Sequence, residues 1–189
     1  MTVADARFVE IYESFFRLVY GYCLRRTSPD RVDDAVADTF LVAWRRISDV
    51  PAGDAALPWL YGVAYRVLST QWRARSRRSQ LESKLASVGV ATMSSVEDYI
   101  VLGEDYRQVL DALSRLKHPD QEIIRLAVWE ELSNIDIAGI FAISPDAAKQ
   151  RLYEARRKLG REYDRLEKQK KVRPPAAQKG GGQWLQTND

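Results

Sequence analysis

The chain has 189 residues, of which 46% are hydrophobic, and a formal net charge of only +3. These values exclude a disordered polybasic arm and leave room for one domain or two small ones. The single cysteine, Cys23, excludes an internal disulfide and fits a small core residue in a reducing compartment. No stretch approaches the roughly 18 apolar residues of a membrane span, so we expect no membrane insertion and a cytoplasmic location.

Three helices are predicted in the first part of the chain. Apolar residues recur at spacings of three and four over residues 8–26, 31–47 and 57–78. Pro, Gly and Asp residues mark 49–56 as a loop before the third helix. We find no strand pattern of any weight, so the first domain is expected to be all-helical.

Charged residues are segregated among these helices. Residues 57–78 contain five arginines and no acidic residue. Four aspartates cluster earlier with only Arg31 among them, at Asp30, Asp33, Asp34 and Asp38. Such segregation indicates different partners for different faces. The aspartates could hold a divalent cation, but they lie in a helical pattern and lack the alternation of a calcium loop.

The third predicted helix interleaves aromatic and arginine side chains. They are Trp59, Tyr61, Tyr65, Arg66, Trp72, Arg73 and Arg75. Arginine neutralises phosphate and aromatic rings stack on unpaired bases, so this surface is suited to single-stranded DNA. The aromatic rings could instead be ordinary core residues, because large aromatics dominate protein cores. The arginines cannot be core residues in such number.

The second part of the chain predicts another small helical domain. Residues 79–96 are polar and are interpreted as a flexible linker, whereas helical spacing returns over 97–116 and 121–131. A Pro pair and a run of three glycines predict a mostly disordered tail over 168–189. We therefore predict an all-α fold in which domains 1–78 and 97–167 are joined by the linker.

Residues 132–159 predict a helix, a tight turn and a second helix. Ser144 occupies the N-cap position of the second helix, and Pro145 is its first helical residue. The second helix would bury Ala148, Leu152, Ala155 and Leu159 and expose a basic face on its other side. That face would comprise Lys149, Gln150, Arg151, Tyr153, Arg156, Arg157 and Lys158. This is the form of a helix that enters the DNA major groove. A solvent-exposed surface helix would show the same pattern.

No catalytic site can be assembled from the sequence. The single histidine, His118, is expected to be an exposed turn residue beside Pro119. There is no glycine-rich phosphate loop, no cysteine pair for zinc and no serine with a plausible base. We therefore expect a binding protein without catalytic residues, cofactor, metal site or small-molecule substrate.

Three segments together carry a resemblance to a known family. They are VDDAVADTFLVAWRRI from residue 32, PWLYGVAYRVLSTQWRARSRR from residue 58, and the stretch from Leu113 to Leu159 that contains the helix-turn-helix. In this order and spacing they resemble the extracytoplasmic-function (group IV, sigma-70 family) sigma factors. Members of that family bind core RNA polymerase and direct it to promoters, and many are silenced by an anti-sigma factor. The resemblance implies these partners for this chain.

The resemblance also implies roles for individual residues of the first domain. The residues that bind polymerase, or that support the helix which does, would be Asp34, Asp38, Phe40 and Trp44. The loop would form a pocket for a flipped base of the minus-ten element, with residues Asp49, Val50, Pro51, Ala52, Gly53 and Asp54. Trp59 would support the pocket, and backbone phosphates would be held by Arg66, Arg73 and Arg75.

In the second domain the resemblance assigns the minus-thirty-five element to the second helix of the pair. The start of this helix contains Ser144 and Asp146. The bases would be read by Lys149, Gln150, Arg151 and Tyr153. Backbone phosphates would be contacted by Arg156 and Arg157. One departure concerns the turn between the two helices. Ala142 stands where relatives often have glycine, so a less sharp turn is expected.

Two other functions fit the sequence less well than that of a sigma factor. A stand-alone helix-turn-helix regulator would use the first domain for sensing or dimerisation. An acidic helix followed by a helix of arginines and aromatic residues disfavours this regulator, because a sensor domain does not need residues that bind single-stranded DNA. An enzyme with a DNA-binding tail lacks an assembled active site.

Overall fold

The computed structural model describes residues 2–83 and 103–172. Seven α-helices run through these two ranges, and no β-strand occurs within them. The predicted all-α fold is confirmed. Two helical units flank the stretch between Ser83 and Gly103, and both contribute buried apolar residues to the core.

The first unit contains three long helices joined by short turns. They are α1 (Val3–Leu24), α2 (Val32–Arg45) and α3 (Ala56–Ser83), with 3-10 turns at Pro29–Arg31, Ile47–Asp49 and Gly53–Ala55. α1 begins earlier than predicted because Thr2 and Asp5 form a capping box, in which Thr2 Oγ1 accepts from the Asp5 amide at 3.1 Å. α3 continues to Ser83, into the stretch predicted as linker.

The core of the first unit is formed where the three helices face one another. Val19, Tyr22 and Cys23 of α1 are completely buried, as is Leu60 of α3. The buried side of α2 comprises Val32, Ala35, Val36, Thr39, Phe40 and Ala43. Cys23 is the small core residue that its spacing predicts. Burial raises the pKa of its thiol to about 12, so the thiol stays protonated and unreactive.

The second unit is built around a short helix pair. Its helices are α4 (Glu104–Ser114), α5 (His118–Val128), α6 (Asn134–Phe141) and α7 (Pro145–Val172). α6 begins with a capping box between Ser133 and Asp136, and the Ala147 amide donates to Ser144 Oγ at 3.2 Å at the start of α7. The predicted N-cap role of Ser144 is therefore confirmed. α4, α5 and α6 all pack against α7.

The last helix is longer than the sequence pattern predicts. α7 runs for 28 residues and ends at Val172, so residues 168–172 are helical where we predicted the start of a disordered tail. Lys, Glu and Gln in this stretch are good helix formers. Lys171 also pairs with Glu167 one turn away at 3.1 Å. Residues 173–189 lie outside the described part of the chain.

The turn between α6 and α7 is sharp despite its alanine. Ala142 adopts the left-handed conformation, with φ 53° and ψ 50°, and its amide donates to the Ala138 carbonyl. The expectation of a less sharp turn is wrong, because packing on both sides holds Ala142 in a conformation that glycine adopts more readily. The apolar neighbours Ile140 and Ala148 are buried on either side.

The two units pack directly against each other. α6 lies on α3, and the Gly62 Cα faces Ile140 so closely that an added Cβ would lie 3.6 Å from Ile140 Cγ1. Tyr65 of α3 meets Phe141 of α6 with 5.2 Å between ring centroids. The cores of the two units therefore form one continuous apolar cluster.

A buried ion cluster crosses the same interface. Arg26, just after α1, donates through Nε to both carboxylate oxygens of Glu122 at 2.9 and 3.0 Å and through Nη1 to Glu130 at 2.9 Å. The exposed fractions of these three side chains are only 4%, 1% and 2%. Tyr22 donates its hydroxyl to Glu122 at 2.8 Å, and Arg25 binds Glu130 from the solvent side. Two guanidinium groups thus balance two carboxylates.

The protonation of the cluster follows from its contacts. Burial alone would lower the pKa of Arg26, but Glu122, Tyr22 and Glu130 raise it well above its ordinary value. Burial and then Glu122 raise the pKa of Tyr22 well above 10.0. Burial and Glu130 likewise raise the pKa of Tyr61. Arg26 is therefore protonated, and the hydroxyls of Tyr22 and Tyr61 beside it are neutral.

Replacing Ala142 with glycine should stabilise the second unit. Glycine adopts the left-handed conformation without the steric cost that alanine bears, so Ala142→Gly is expected to raise the free energy of unfolding by about 0.5–1 kcal/mol. Denaturant unfolding measures the change. Ala37→Gly, at an exposed right-handed position in α2, should have the opposite sign. Equal destabilisation by both variants would contradict the left-handed turn.

Candidate nucleic-acid interface

The outer side of α2 carries a pair of acidic residues. Asp34 and Asp38 are one helical turn apart and both are exposed. Neither carboxylate is engaged in an ion pair within the described ranges. The pair is therefore available to a basic surface of another molecule.

An aromatic cluster lies between α1 and α2. Phe8 meets Trp44 edge-on at 5.1 Å between centroids, and Tyr12 meets Phe40 at 4.8 Å. Trp44 remains 41% exposed, whereas Phe40 is only 4% exposed. Of the two aromatic residues assigned to polymerase binding, Trp44 can offer surface to a partner. Phe40 supports that surface from below.

The loop between α2 and α3 is open at its tip and anchored at its base. Val50 is buried, and its carbonyl accepts a hydrogen bond from Arg7. Asp49 pairs with Arg46 at 2.8 Å. The tip consists of exposed Ala52, Gly53 and Asp54 after half-buried Pro51, and Gly53 has φ 61°. The tip can meet a ligand, whereas Val50 holds the loop in place.

Three of the residues assigned to minus-ten DNA lie on α3 with described side chains. Arg66 and Arg73 are exposed, and each donates back to its own helix, at Gly62 O and Ser69 O. Trp59 is half-buried, and the Arg46 guanidinium lies 5.9 Å from its ring. Arg75 lies on the same helix, and its side chain is outside the described part of the structure.

The aromatic residues of α3 divide between the core and the interface. Tyr61 is buried, as the core interpretation predicts. Tyr65 is half-buried and Trp72 is 45% exposed, and both rings stack on His118, at 6.5 and 5.4 Å between centroids. The predicted position of His118 as an exposed turn residue is wrong. It opens α5 and is half-buried against α3, and burial lowers the pKa of its imidazole.

The outer face of α7 is basic and unobstructed. Ala148, Leu152 and Ala155 are buried on its inner side. The opposite side consists entirely of exposed residues, namely Lys149, Gln150, Arg151, Tyr153, Arg156 and Arg157. Ser144 and Asp146 at the helix start are exposed as well. All eight residues of this predicted set are therefore exposed.

Two contacts on the outer face of α7 join its side chains to one another. Gln150 donates to Glu154 at 2.9 Å, so an acidic side chain lies beside the predicted reading residues. The Arg157 guanidinium lies over the Tyr153 ring at 5.8 Å. Lys158 faces elsewhere and pairs with Asp120 of α5 at 2.8 Å.

The described residues form neither a metal site nor a membrane span. Residues 2–83 and 103–172 contain no group of three His, Cys, Asp or Glu side chains placed to hold a metal ion. No helix within these ranges is both long and apolar enough to cross a membrane.

Sequence reasoning missed the residues that join the two units. Arg26 was interpreted as the end of a helix, and Glu122 and Glu130 lie about a hundred residues away from it. The one sequence signal is the position of Glu122 directly before the apolar pair Ile123 and Ile124, because a carboxylate on the buried side of a helix needs a partner.

Comparison with known protein families agrees with this arrangement. The sequence matches Sigma-70 region 2 over residues 11–78 and Sigma-70 region 4 over residues 106–159. The first match runs from within α1 into α3, and the second runs from within α4 into α7.

Individual relatives and solved structures resemble the chain over most of its length. The ECF RNA polymerase sigma factor SigK of Mycobacterium tuberculosis (strain ATCC 25618 / H37Rv) is 26% identical over 158 residues, or 82% of this chain and 84% of the relative. The sigma factor RpoE in complex with the anti-sigma factor NepR from Bartonella quintana has a TM-score of 0.63 and 22% identity, covering 83% of this chain and 96% of that one. CnrH in complex with the cytosolic domain of CnrY has a TM-score of 0.55 and 22% identity, and the match covers 83% of this chain and 87% of that one.

The chain therefore belongs to the sigma-70 family, as an RNA polymerase sigma factor of the extracytoplasmic-function type that directs promoter-specific transcription. Its two helical units correspond to regions 2 and 4. The stand-alone regulator is not favoured by these findings.

Removing the acidic charge beside Gln150 should strengthen DNA binding. Glu154→Gln removes repulsion from phosphates, and a surface charge interaction of up to about 1 kcal/mol predicts a two- to fivefold lower Kd of the holoenzyme for promoter DNA. Fluorescence anisotropy measures the change. Asp164→Asn removes the same charge about 15 Å further along α7 and should have little effect. Equal effects of both variants would argue against a DNA surface centred on Gln150.

Proposed function

We propose that this sigma factor uses three separate surfaces: α2 for polymerase, the loop and α3 for minus-ten DNA, and α7 for minus-thirty-five DNA. The observation that carries the proposal is the α7 surface, where six polar or basic side chains are all exposed opposite a fully apolar inner side. A helix of this form presents hydrogen-bond donors to base edges in the major groove.

The polymerase surface combines charge with an exposed aromatic ring. Asp34 and Asp38 supply negative charge for a basic docking surface, and Trp44 adds an aromatic anchor. Charge complementarity guides association, whereas a buried aromatic residue supplies much of the affinity. Phe40 contributes indirectly, by holding the aromatic cluster in place.

The minus-ten surface is proposed to lie at the start of α3. The exposed loop tip from Ala52 to Asp54 would receive a flipped base, and Trp59 beneath the loop would fix its position. Arg66 and Arg73, with Arg75 beyond them, would neutralise the phosphates of the displaced strand. Tyr65 and Trp72 on the same helix offer ring faces for stacking once they are uncovered.

The sigma factor is proposed to act on other molecules without catalysing a reaction itself. Sigma factors are transcription initiation factors, and the polymerase would perform the chemistry in the cytoplasm. RpoE was solved in complex with the anti-sigma factor NepR, which supports an anti-sigma partner for this chain too. Region 2 is proposed to occupy residues 1–78 and region 4 residues 97–167, with residues 79–96 as the connection.

Reversing the acidic pair of α2 should abolish polymerase binding. Asp34→Lys with Asp38→Lys places four units of charge change on the docking surface while leaving the fold intact, because exposed charges contribute little to stability. Pull-down of core polymerase measures the loss. The control, Glu10→Lys with Glu13→Lys, makes the same charge change on an exposed side of α1. Wild-type recovery of polymerase by the α2 variant would rule out this docking surface.

Two arginines of α7 should differ in what they contribute to promoter choice. Arg151→Ala should cost about 1–3 kcal/mol and relax the preference at one base of the minus-thirty-five element. Arg156→Ala should weaken all promoters alike, because phosphate contacts carry no sequence information. Arg157 is a poorer control, since it also stacks on Tyr153. Transcription from a set of single-base promoter variants separates the two effects, and uniform losses for both would refute the assignment.

A further inference from the structure

One of the proposed reading residues of α7 is held by a neighbour on the same helix. Gln150 donates through Nε2 to Glu154 Oε1 at 2.9 Å, and both side chains are exposed. Residues four apart lie on one face of a helix, and side chains lean toward the helix start, so Glu154 reaches back toward Gln150. The contact therefore lies on the outer face of α7, opposite buried Ala148 and Leu152.

Glu154 is an acidic residue in a basic stretch. Residues 147–161 contain six basic residues and this one acidic residue. Arg157, one turn further along, lies over the Tyr153 ring instead of pairing with it. Among the residues that the structure describes, Glu154 forms no ion pair, and its hydrogen bond is to Gln150. Its charge weakens phosphate binding for every DNA sequence, whereas its hydrogen bond acts on a single reading residue.

The hydrogen bond determines which groups Gln150 can offer to a base. A glutamine amide has one acceptor oxygen and two N–H donors, whereas an ionised carboxylate only accepts. Glu154 can therefore bind only the NH2 group of the amide, which leaves the oxygen and one N–H for a base. An unrestrained amide could instead turn its NH2 group toward the DNA and offer both donors.

One acceptor beside one donor matches the major-groove edge of adenine. Adenine presents a donor at N6 and an acceptor at N7, and glutamine binds both. Guanine presents two acceptors, O6 and N7, so the amide oxygen of Gln150 would face O6 with no proton between them. The restrained amide thus favours adenine over guanine more strongly than a free amide would.

The backbone beneath this pair is held on both sides. Ser144 caps the start of α7 through its Oγ, and Lys158 pairs with Asp120 of α5 at 2.8 Å. The remaining freedom of Gln150 is therefore that of its own side chain, which Glu154 restrains. Restraint before binding reduces the conformational entropy that is lost when a base is contacted.

We propose that Glu154 is a positioning residue for sequence reading, which holds the Gln150 amide so that α7 selects adenine at the base pair that Gln150 contacts. The same carboxylate lowers the affinity for all DNA, so a gain in specificity accompanies a loss of affinity. The inference rests on the proposed function of α7 as the helix that reads the minus-thirty-five element.

Binding of the holoenzyme to promoters with a randomised upstream element tests the positioning role. Core polymerase is loaded with the wild-type or the Glu154→Ala chain, and the bound fragments are counted by sequencing. We expect the wild type to prefer adenine over guanine at one position, and this preference to fall about fivefold or more in Glu154→Ala. The average affinity for all fragments should rise, because a repulsive charge is lost. Recovery of core polymerase at the wild-type level in pull-down shows that the variant is folded.

A second variant separates positioning from direct contact with a base. Gln150→Ala should abolish the adenine preference, and adding Glu154→Ala to it should raise the average affinity without changing base preference further. A changed preference in that background would mean that Glu154 itself accepts from a base, such as N4 of cytosine, and would overturn the positioning role. Asp164→Ala is the matched charge control about 15 Å further along α7, and it should leave the adenine preference unchanged.

The outcomes distinguish this inference from the proposed function. An adenine preference that persists in Glu154→Ala, or that is absent from the wild type, would overturn the role of Glu154 and leave α7 as a reader through its other residues. A wild-type holoenzyme with no base preference anywhere in the upstream element would overturn the proposed function of α7 itself.

Discussion

The arrangement of this sigma factor depends on a guanidinium buried between two carboxylates. Arg26 is charged, its partners are charged, and none of the three has more than 4% of its side chain exposed. Breaking a buried pair by removing one partner typically costs about 3–5 kcal/mol. The cluster therefore favours one relative position of regions 2 and 4, and the apolar packing of α6 on α3 lies at the same interface.

The same helices serve the fold and the function with opposite faces. α7 packs against α4, α5 and α6 through small and apolar residues, so its outer side is free to carry six polar or basic residues. α2 follows the same rule, with Phe40 and Ala43 inside and Asp34 and Asp38 outside. Mutations on the outer faces can thus alter recognition with little effect on stability, whereas inner substitutions such as Leu152→Ala would remove the support of the whole surface.

The sequence predicted the individual elements well because their signals are local. Helical spacing identified α1, α2 and α3, and the Ser144–Pro145 pair marked the start of α7, which the hydrogen bond from the Ala147 amide confirms. Interactions between distant residues could not be predicted in this way. Nothing near His118 in the sequence indicates Trp72, and nothing near Arg26 indicates Glu130, because helix packing decides both contacts. Ala142 shows the same limit, since its left-handed conformation is imposed by its neighbours rather than by its own preference.

Together, the three proposed surfaces would direct polymerase to promoters. Transcription of a genomic fragment library in vitro, with core polymerase and the purified chain, is the sharpest test of this role. We expect new start sites whose upstream regions share two short sequence elements at one fixed spacing, and no start at these sites with core polymerase alone. Start sites that appear without the chain, or that share no spaced pair of elements, would contradict it.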